Sequence, residues 1–372
     1  MNKTTKIIGG IVIIIIVIVL VAVFYKSAPK GTIKIGAILP LTVKATNLGE
    51  DAKQAINLAL EKLNQNSKIK IEVIFADEKC DAKEAVSGYR ELTLKGAKLV
   101  IGAICSPSTL AIAPLAEQEG IVLITPGSAA DEITQAGDFI FRDHVTMSQK
   151  TGKLAEFAVQ KFNSIATIYD QSSSAYTLGD KIITDKFINE GKNVLSREGF
   201  GNDTTDFKTQ LIKIKAGKPE AIYIGGLMPQ AGLIIKQMNE LGMSFQILAE
   251  DGFVTDTKFS EAVGNLSEGI IFAVTDFGRN IDPRFWDLYT EKFGKNPTIF
   301  AAQAYDCIMI LAKIIKENCH DGNPICVKDA LYNIRDYPGV SGTTSFDQNG
   351  DAIKPIIIKT IKNGQFVPYE NN

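Results

Sequence analysis

Histidine and tryptophan are nearly absent from this chain of 372 residues, which contains two histidines and one tryptophan. His144 and His320 lie in unrelated contexts, so the sequence offers no histidine-based metal site and no nucleophile–histidine pair. It also lacks the HExxH, GxSxG and Walker motifs, and no GxGxxG follows a strand. We therefore expect a protein that is not an enzyme and has no cofactor or metal, with His144 in a structural role.

An excess of charge of either sign is missing as well. The formal net charge is -2 and charged residues make up 22% of the chain, which gives no electrostatic case for nucleic acid as a partner. Low-complexity tracts and short-period repeats are also absent. The 45% hydrophobic content is typical of a globular protein, and the length suffices for two ordinary domains after the first thirty residues.

One long apolar run stands at the amino terminus. Residues 7–24 contain no charge and are mostly isoleucine and valine. A membrane-spanning helix needs ~20 apolar residues, whereas the core of a signal peptide is ~7–15 long. With Lys3 and Lys6 before it, the run predicts an uncleaved signal anchor over residues 1–30, with a single membrane pass and the rest of the chain outside the cytoplasm. A cleaved signal peptide is the alternative.

Five cysteines fit an exported protein, because oxidising compartments preserve disulfides. We predict disulfides between Cys80 and Cys105 and between Cys319 and Cys326. Cys307 lies in an apolar helical pattern, which predicts a buried free thiol. Two buried thiols at Cys80 and Cys105, and a metal or redox pair at Cys319 and Cys326, remain the alternatives.

Strands and helices alternate through most of the chain after residue 31. Two successive runs of about four strand–helix units, which meet near residue 148, predict an α/β protein with two doubly wound parallel-sheet lobes. The last hundred residues, by contrast, give three helices followed by short strands separated by the turns DQNGD and KNG. We expect this carboxyl-terminal part to pack against the two lobes.

The most informative segment covers residues 80–134. Its first buried strand ends at Cys105, directly before Ser-Pro-Ser-Thr and a new helix. Its second strand ends in the small-residue turn Gly127, Ser128 and Ala129. Ligands of open α/β sheets bind just outside the carboxyl ends of the strands. Ser106 reads as the N-cap of the new helix with Pro107 at its first turn, which would direct free amide groups and the helix dipole at a ligand.

The same segment resembles the type I periplasmic binding proteins, specifically the branched-chain amino-acid (leucine/isoleucine/valine) binding proteins of ABC importers. The motifs are C-D-x-K-x-A-V, V-I-G, C-S-x-S-T, E-G-I, I-T-P and E-(I/L)-T, supported by YIGG-x-x-P, EDG and FDQNGD. The resemblance implies two lobes joined by a three-crossing hinge that closes around a ligand. Lobe 1 would be residues 31–147 plus 276–342, and lobe 2 residues 148–275 plus 343–372.

The resemblance also implies roles for residues of the first lobe. Ser106 matches the family serine that contacts the carboxylate of the ligand. Gly127, Ser128 and Ala129 match the small turn that offers backbone groups to an amino acid. Ala129 stands where the family has a threonine, and we expect the Ser128 hydroxyl to replace the one that is lost.

In the second lobe, Asp251 matches the acid that pairs with the ammonium of the ligand, although Glu250 beside it is a rival. Tyr176 matches a tyrosine of the cleft, with a surface aromatic as the alternative. Leu227 stands where the family has a cleft tyrosine, and Leu48 where an aromatic usually borders the side-chain pocket. Both departures predict a more apolar wall and prevent the transfer of leucine specificity.

These implications predict an extracytoplasmic solute-binding protein of an ABC importer that captures a small zwitterion, such as an amino acid, with ABC permease and ATPase subunits as partners. The alternative is a ligand-sensing receptor or envelope regulatory protein on the same fold, which acts through a partner. The sequence leaves open which ligand is bound, the oligomeric state, and whether the sequons at Asn202 and Asn265 are glycosylated.

Overall fold

The computed structural model describes residues 31–65, 69–201 and 203–370. The predicted signal anchor at residues 1–30 lies outside these ranges. Within them, no helix is long and apolar enough to cross a bilayer.

The first sheet has five parallel strands in the order β2-β1-β3-β4-β5. The alternation predicted from the sequence is present here, because each strand but the last is followed by a helical segment. The strands are β1 (Thr32–Leu39), β2 (Lys70–Asp77), β3 (Leu99–Gly102), β4 (Val122–Thr125) and β5 (Ile140–Arg142). The helices are α1 (Thr46–Leu63), α2 (Ala82–Leu94) and α3 (Ser106–Glu119), with a 3₁₀ turn at Asp131–Gln135.

The second sheet has seven strands in the order β15-β14-β10-β9-β8-β6-β7. Its parallel part comprises β6 (Ser164–Asp170), β7 (Asn193–Phe200), β8 (Ala221–Gly225), β9 (Gln246–Glu250) and β10 (Ile271–Thr275). The helices between them are α4 (Met147–Lys161), α5 (Ser174–Asn189), α6 (Lys208–Gly217), α7 (Gln230–Glu240), α8 (Asp251–Val254) and α9 (Thr257–Val263), with a 3₁₀ turn at Gly264–Ser267.

The carboxyl-terminal part returns to both sheets. Helices α10 (Pro283–Phe293), α11 (Ile299–Glu317) and α12 (Pro324–Leu331) come first, and α11 packs along α1 of the first sheet. A three-stranded antiparallel sheet follows, with strands β11 (Tyr337–Gly339), β12 (Gly342–Phe346) and β13 (Ala352–Ile353). The hairpin β14 (Ile356–Lys362) and β15 (Gln365–Pro368) then extends the second sheet antiparallel to β10.

Buried apolar residues fill both faces of the two sheets, as parallel strands covered by helices require. Strands β3 and β4 are buried throughout, so neither face is available to solvent. What remains accessible near them is their carboxyl edge, and this edge faces the corresponding edge of the second sheet across a cavity.

Both predicted disulfides are confirmed. Cys80 and Cys105 are bonded with their Cα atoms 5.2 Å apart, and Cys319 and Cys326 with theirs 5.8 Å apart. Cys307 is a buried free thiol on α11, also as predicted. Burial raises the pKa of this thiol well above its usual value, so it stays protonated.

Candidate functional site: a cavity between the two sheets

The cavity lies where the carboxyl ends of strands from both sheets meet, and it encloses about 920 Å³ when the part open to solvent is included. Residues of both sheets line it. Of the residues predicted to bind ligand, it is lined by Ser106, Gly127, Ala129, Tyr176 and Asp251, together with the predicted wall residues Leu48 and Leu227. Ser128 does not line it. Their roles toward a ligand remain predictions.

Ser106 begins α3, but it is not the N-cap that the sequence suggested. Cys105 occupies the N-cap position, and neither residue caps the helix through its side chain. The Ser106 hydroxyl instead accepts hydrogen bonds from the amides of Ala129 and Ala130, both at 3.1 Å. Because a hydroxyl can accept two bonds and still donate one, the Ser106 proton remains available to an acceptor in the cavity.

The turn after β4 is held by its own residues. The amides of Gly127 and Ser128 donate to Thr125 Oγ1 at 3.2 and 3.0 Å. At Gly127 a β-carbon would lie 2.9 Å from both Ile104 Cγ2 and Phe300 Cδ1, so only glycine lets the turn pack this closely. The turn therefore approaches the cavity as a preformed backbone surface.

The Ser128 hydroxyl points away from the cavity, which corrects the expectation that it replaces the hydroxyl missing at Ala129. It lies 2.7 Å from Thr109 Oγ1 and donates toward the carbonyl oxygens of Ala103 and Ile104, at 3.2 and 3.1 Å. Ser128 is thus fully buried as a link between the ends of β3 and β4. Ser128 therefore does not supply the hydroxyl that is missing at Ala129.

A buried ion pair also stabilises the segment that follows this turn. Arg142 donates through Nε and Nη2 to Asp351 Oδ1, at 2.8 and 2.6 Å, and through Nη1 to the carbonyl of Ala130 at 2.7 Å. Arg142 is fully buried, so the two-pronged geometry offsets its loss of hydration. Asp351 belongs to the DQNGD turn, which explains why that turn returns to this edge of the first sheet.

Glu78 supports the start of α3. Its Oε1 accepts from the amides of Ile104 and Cys105 at 2.7 and 3.3 Å, next to the Cys80–Cys105 disulfide. Burial raises the pKa of Glu78 to about 8. A protonated Glu78 can donate through Oε2 to Ser108 Oγ, and neither of these buried atoms has another partner among the described residues. The first wall is thus neutral at this point.

The wall from the second sheet carries charge. Asp251, 1% exposed, follows β9 and binds the Lys150 ammonium through Oδ1. Lys150 is 3% exposed and also lies 3.2 Å from Glu250 Oε2. Asp251 and Glu250 raise the pKa of Lys150 despite its burial, so the ammonium remains charged. Two carboxylates and one ammonium leave this cluster with one net negative charge.

Glu250, the predicted rival of Asp251, does not line the cavity. Its Oε1 accepts from Tyr223 OH at 2.6 Å and from Thr151 Oγ1 at 2.8 Å, and it does not line the space. Asp251 does line it, and its Oδ2 is buried without a hydrogen-bond partner in the part of the chain that the structure describes. An unpaired carboxylate oxygen in such a place requires a donor.

His144, for which the sequence predicted a structural role, also lines the cavity. Its Nε2 lies 4.0 Å from Asp251 Oδ2, which is too long for a hydrogen bond. The pKa of His144 is well below its ordinary value, first because of burial and then because Lys150 and Arg142 are close. The imidazole is therefore neutral at physiological pH.

The remaining wall is mostly apolar. Leu48 and Leu227 face the space, as the sequence predicted, together with Ile104, Met147 and Phe300. Tyr176 also lines it, which excludes the alternative of a surface aromatic. A β-carbon at Gly252 would lie 3.1 Å from Leu227 Cδ2 and 3.4 Å from Tyr176 OH, so a glycine there allows both side chains to close over Asp251.

Lys150 is the main residue that the sequence reasoning missed. The sequence pattern does indicate its burial, since Met147, Lys150, Thr151 and Leu154 recur at helical spacing and form one buried stripe along α4. A lysine on such a stripe needs a buried partner. The pairing with Asp251 joins positions 101 residues apart, and a single sequence gives no indication of that partner.

The family profile of periplasmic binding proteins matches residues 32–365. A leucine-, isoleucine-, valine-, threonine- and alanine-binding protein of Pseudomonas aeruginosa is 28% identical over 352 residues, which cover 91% of this chain and 90% of the relative. Since the profile spans most of the chain, the protein belongs to the periplasmic binding protein family.

Two solved structures narrow the resemblance within that family. A leucine-binding protein from Thermotoga maritima superposes with a TM-score of 0.83 at 28% identity, covering 91% of this chain and 98% of that one. The substrate-binding protein of a branched-chain amino-acid transporter from Streptococcus pneumoniae, in complex with isoleucine, gives 0.83 at 26% identity, with 90% and 98% covered. The chain has the type I periplasmic binding protein fold and resembles the branched-chain amino-acid binding members.

Proposed function

We propose that this protein is an extracytoplasmic solute-binding protein of an ABC importer, and that it captures a small zwitterion, an amino acid, between two lobes that close on it. The observation that carries the proposal is the opposition of two unlike walls across one cavity. Ser106 and the start of α3 stand on one side, and the unpaired Oδ2 of Asp251 stands on the other.

The first wall suits a carboxylate. The start of a helix favours negative charge, because its first amides and its dipole point outward. The Ser106 hydroxyl adds one donor, and its position is fixed by the amides of Ala129 and Ala130. No carboxylate lines the cavity from the first sheet, so nothing there repels an anion.

The second wall suits an ammonium. The cluster of Lys150, Glu250 and Asp251 has one net negative charge. Two of its buried oxygens, Glu250 Oε2 and Asp251 Oδ2, have no hydrogen-bond partner among the described residues, and of the two acids it is Asp251 that lines the cavity. An ammonium placed there would neutralise the cluster and satisfy Asp251 Oδ2. The apolar side chains of Leu48, Leu227 and Phe300 are left for the side chain of the ligand.

The lobes predicted as residues 31–147 plus 276–342 and residues 148–275 plus 343–372 need one correction. Residues 343–353 stay with the first sheet, because Thr344 binds Asp143 and Asp351 binds Arg142, so we propose 31–147 plus 276–353 and 148–275 plus 354–372. The two sheets belong one to each, and the chain passes between them near residues 143–146, 276–282 and 340–355. At two of these passages Asp143 and Lys354 form a fully buried ion pair at 2.9 Å. This arrangement supports a hinge whose strands are tied together while the lobes rotate.

The site and the family support ligand capture outside the cytoplasm, with ABC permease and ATPase subunits as the partners. The two disulfides are in keeping with an oxidising compartment. Anchoring through residues 7–24 and the absence of enzymatic activity stay predictions.

The test is a thermal-shift and calorimetric screen of the full chain in mild detergent, after refolding from denaturant to remove carried-over ligand. The panel comprises the common L-amino acids, amides and small polyols. An amino acid at ~100 times its dissociation constant should stabilise the folded state by ~2.7 kcal/mol. A screen in which no amino acid changes the unfolding temperature would disprove the proposal, and a response to polyols alone would replace the zwitterion with a neutral ligand.

A further inference from the structure

His144 has one ring nitrogen whose protonation is set by its neighbours. Gln303 Nε2 donates to the carbonyl of Asp143 at 3.0 Å, and this bond fixes which way the Gln303 amide is turned. Gln303 Oε1 therefore faces His144 Nδ1, 2.9 Å away, as an acceptor. A neutral imidazole carries one proton, so the proton is on Nδ1 and Nε2 is left as an acceptor.

Nε2 faces a second acceptor. Asp251 Oδ2 lies 4.0 Å from it and is buried without a hydrogen-bond donor within residues 31–65, 69–201 and 203–370. The contact that the structure gives for Nε2 is this one, which is too long for a hydrogen bond. Two lone pairs turned toward each other in a buried place are unfavourable until a donor enters between them. A nitrogen with several protons can donate to both, since 4.0 Å leaves each bond near the usual length of ~2.8–3.0 Å.

Of the other acceptors of the cluster, Glu250 Oε2 lies 3.2 Å from the Lys150 ammonium without a hydrogen bond among the described residues, on an acid that does not line the cavity. Asp251 Oδ1 binds Lys150, and Glu250 Oε1 is shared by Tyr223 and Thr151. His144 itself stacks on Phe300, with ring centroids 5.8 Å apart and an angle of 20° between the planes. The imidazole is therefore held in place, with Nε2 on the side of Asp251, which also lines the cavity.

We infer that His144 is a specificity-determining residue: its Nε2 and Asp251 Oδ2 together form a two-acceptor site for one primary ammonium group of the ligand. The inference rests on the proposed function and deepens it, because it states which chemical group is selected and how. A ligand with a primary ammonium satisfies both acceptors, whereas a hydroxyl has a single proton. That proton is donated in a hydrogen bond to Asp251, the charged acceptor, and His144 then receives no hydrogen bond from the ligand.

The experiment compares L-leucine, L-alanine and L-phenylalanine with the 2-hydroxy acids that have the same carbon skeletons. Affinities are measured by calorimetry for the full-length wild-type chain and for His144→Phe, which keeps an aromatic ring against Phe300 and removes the acceptor. We expect His144→Phe to weaken the amino acid that binds the wild type by about tenfold, and to leave its 2-hydroxy acid within about twofold. A structural role for His144 would weaken both ligands equally, and that result would overturn the inference.

A second variant leaves the imidazole in place. Gln303→Glu puts a carboxylate beside Nδ1, which favours a doubly protonated ring whose Nε2 donates to Asp251 and repels an ammonium. Amino-acid affinity should fall by at least tenfold at pH 6 and recover as the pH rises. In wild-type protein, ¹⁵N NMR should show Nδ1 protonated and Nε2 bare, with the Nε2 resonance shifting when the amino acid binds. A proton on Nε2 would contradict the inference.

The proposed function and the two-acceptor site can be disproved separately. If the wild type binds none of these amino acids, the proposed function is wrong and the role of His144 falls with it. If the wild type binds an amino acid and His144→Phe binds it equally well, the proposed function stands and the two-acceptor site is wrong.

Discussion

The two walls of the cavity are built in different ways. The wall from the first sheet consists mainly of backbone groups and hydroxyls linked through Thr125, Ser128 and Ser106, with Lys44 as the lysine that lines the cavity from this side. The wall from the second sheet brings three charged side chains, Lys150, Glu250 and Asp251, into a place where each is at most 3% exposed. The first wall offers preset dipoles, and the second offers a buried charge cluster in which Asp251 presents an oxygen without a hydrogen-bond partner to the cavity.

This difference indicates how a small pocket can recognise opposite charges a few ångströms apart. Dipoles of a helix start and of fixed amides favour an anion on the first wall. On the second wall, Lys150 balances one of the two negative charges, so that a single ammonium of the ligand would neutralise the cluster.

The largest expected effect comes from neutralising the second wall. Asp251→Asn removes the charge that faces the ammonium and should weaken amino-acid binding at least 100-fold, because the ammonium loses a buried charged partner. The control is Asp185→Asn on α5, an exposed acid that pairs with Lys181. Calorimetry on both variants measures the effect. Unchanged affinity in Asp251→Asn would show that the ammonium binds elsewhere.

The disulfides allow a comparison between the first wall and a distant site. Replacing Cys80 and Cys105 by serine opens a loop of 25 residues, and replacing Cys319 and Cys326 opens one of 7. The loop-entropy relation gives losses of ~3.5 and ~2.4 kcal/mol in the free energy of unfolding. Denaturant titration checks these values. Only the first pair adjoins Ser106, so only its removal should also weaken ligand binding, and equal effects on affinity would refute the comparison.

The neutrality of the first wall predicts a pH dependence. Because the folded-state pKa of Glu78 is raised to about 8, the folded protein holds this proton more tightly than the unfolded chain. The stabilisation from Glu78 is therefore fully present at low pH and is lost as the pH rises from about 4.5 to about 8, by at most ~1.4 kcal/mol per pH unit.

Glu78→Gln is the matched variant, since glutamine keeps a carbonyl for the Ile104 amide and a donor for Ser108. Its stability relative to the wild type should increase steadily between pH 5 and pH 8 (about the range between the usual glutamate pKa and the raised one). Unfolding free energies at several pH values measure the difference. A constant difference would mean that Glu78 is ionised in the folded state and that the first wall carries charge.

The smallest effects are expected for the apolar side chains. Leu48→Ala and Leu227→Ala should each weaken L-leucine relative to L-alanine by about tenfold, because each enlarges the space around the ligand side chain. Leu288→Ala, at a position 54% exposed on α10, serves as the control. If all three variants bind leucine with equal affinity, the side chain of the ligand lies elsewhere in the cavity.

The sequence was sufficient for the features that local patterns and family motifs encode. The alternation of strands and helices, both disulfides, the buried thiol of Cys307 and the positions of Ser106 and Asp251 at the carboxyl ends of strands all follow from it. The orientation of Ser128 did not follow, because its hydroxyl could turn either to the cavity or to the ends of β3 and β4, and only the packed structure offers three partners on one side.

Lys150 and His144 show a second kind of limit. Their roles depend on pairings across 101 and 159 residues, with Asp251 and Gln303 respectively. A single sequence shows that a lysine stands on an apolar stripe and that a histidine follows a strand, but it does not show which group lies opposite. The tautomer of His144 depends in turn on the hydrogen bond from Gln303 to the Asp143 carbonyl, because this bond fixes the orientation of the Gln303 amide.

The most direct test of the two-wall account is a calorimetric comparison of L-leucine with two truncated forms of the same skeleton, 4-methylpentanoate, which lacks the ammonium, and 3-methylbutylamine, which lacks the carboxylate. L-alanine with propionate and ethylamine provides a second series with a smaller side chain. In at least one series, the account predicts that the amino acid binds at least 100-fold more tightly than either truncated form, because each wall contributes only to its own charged group. Equal affinity for an amino acid and one of its truncated forms would contradict the account, since one wall would then take no part in recognition.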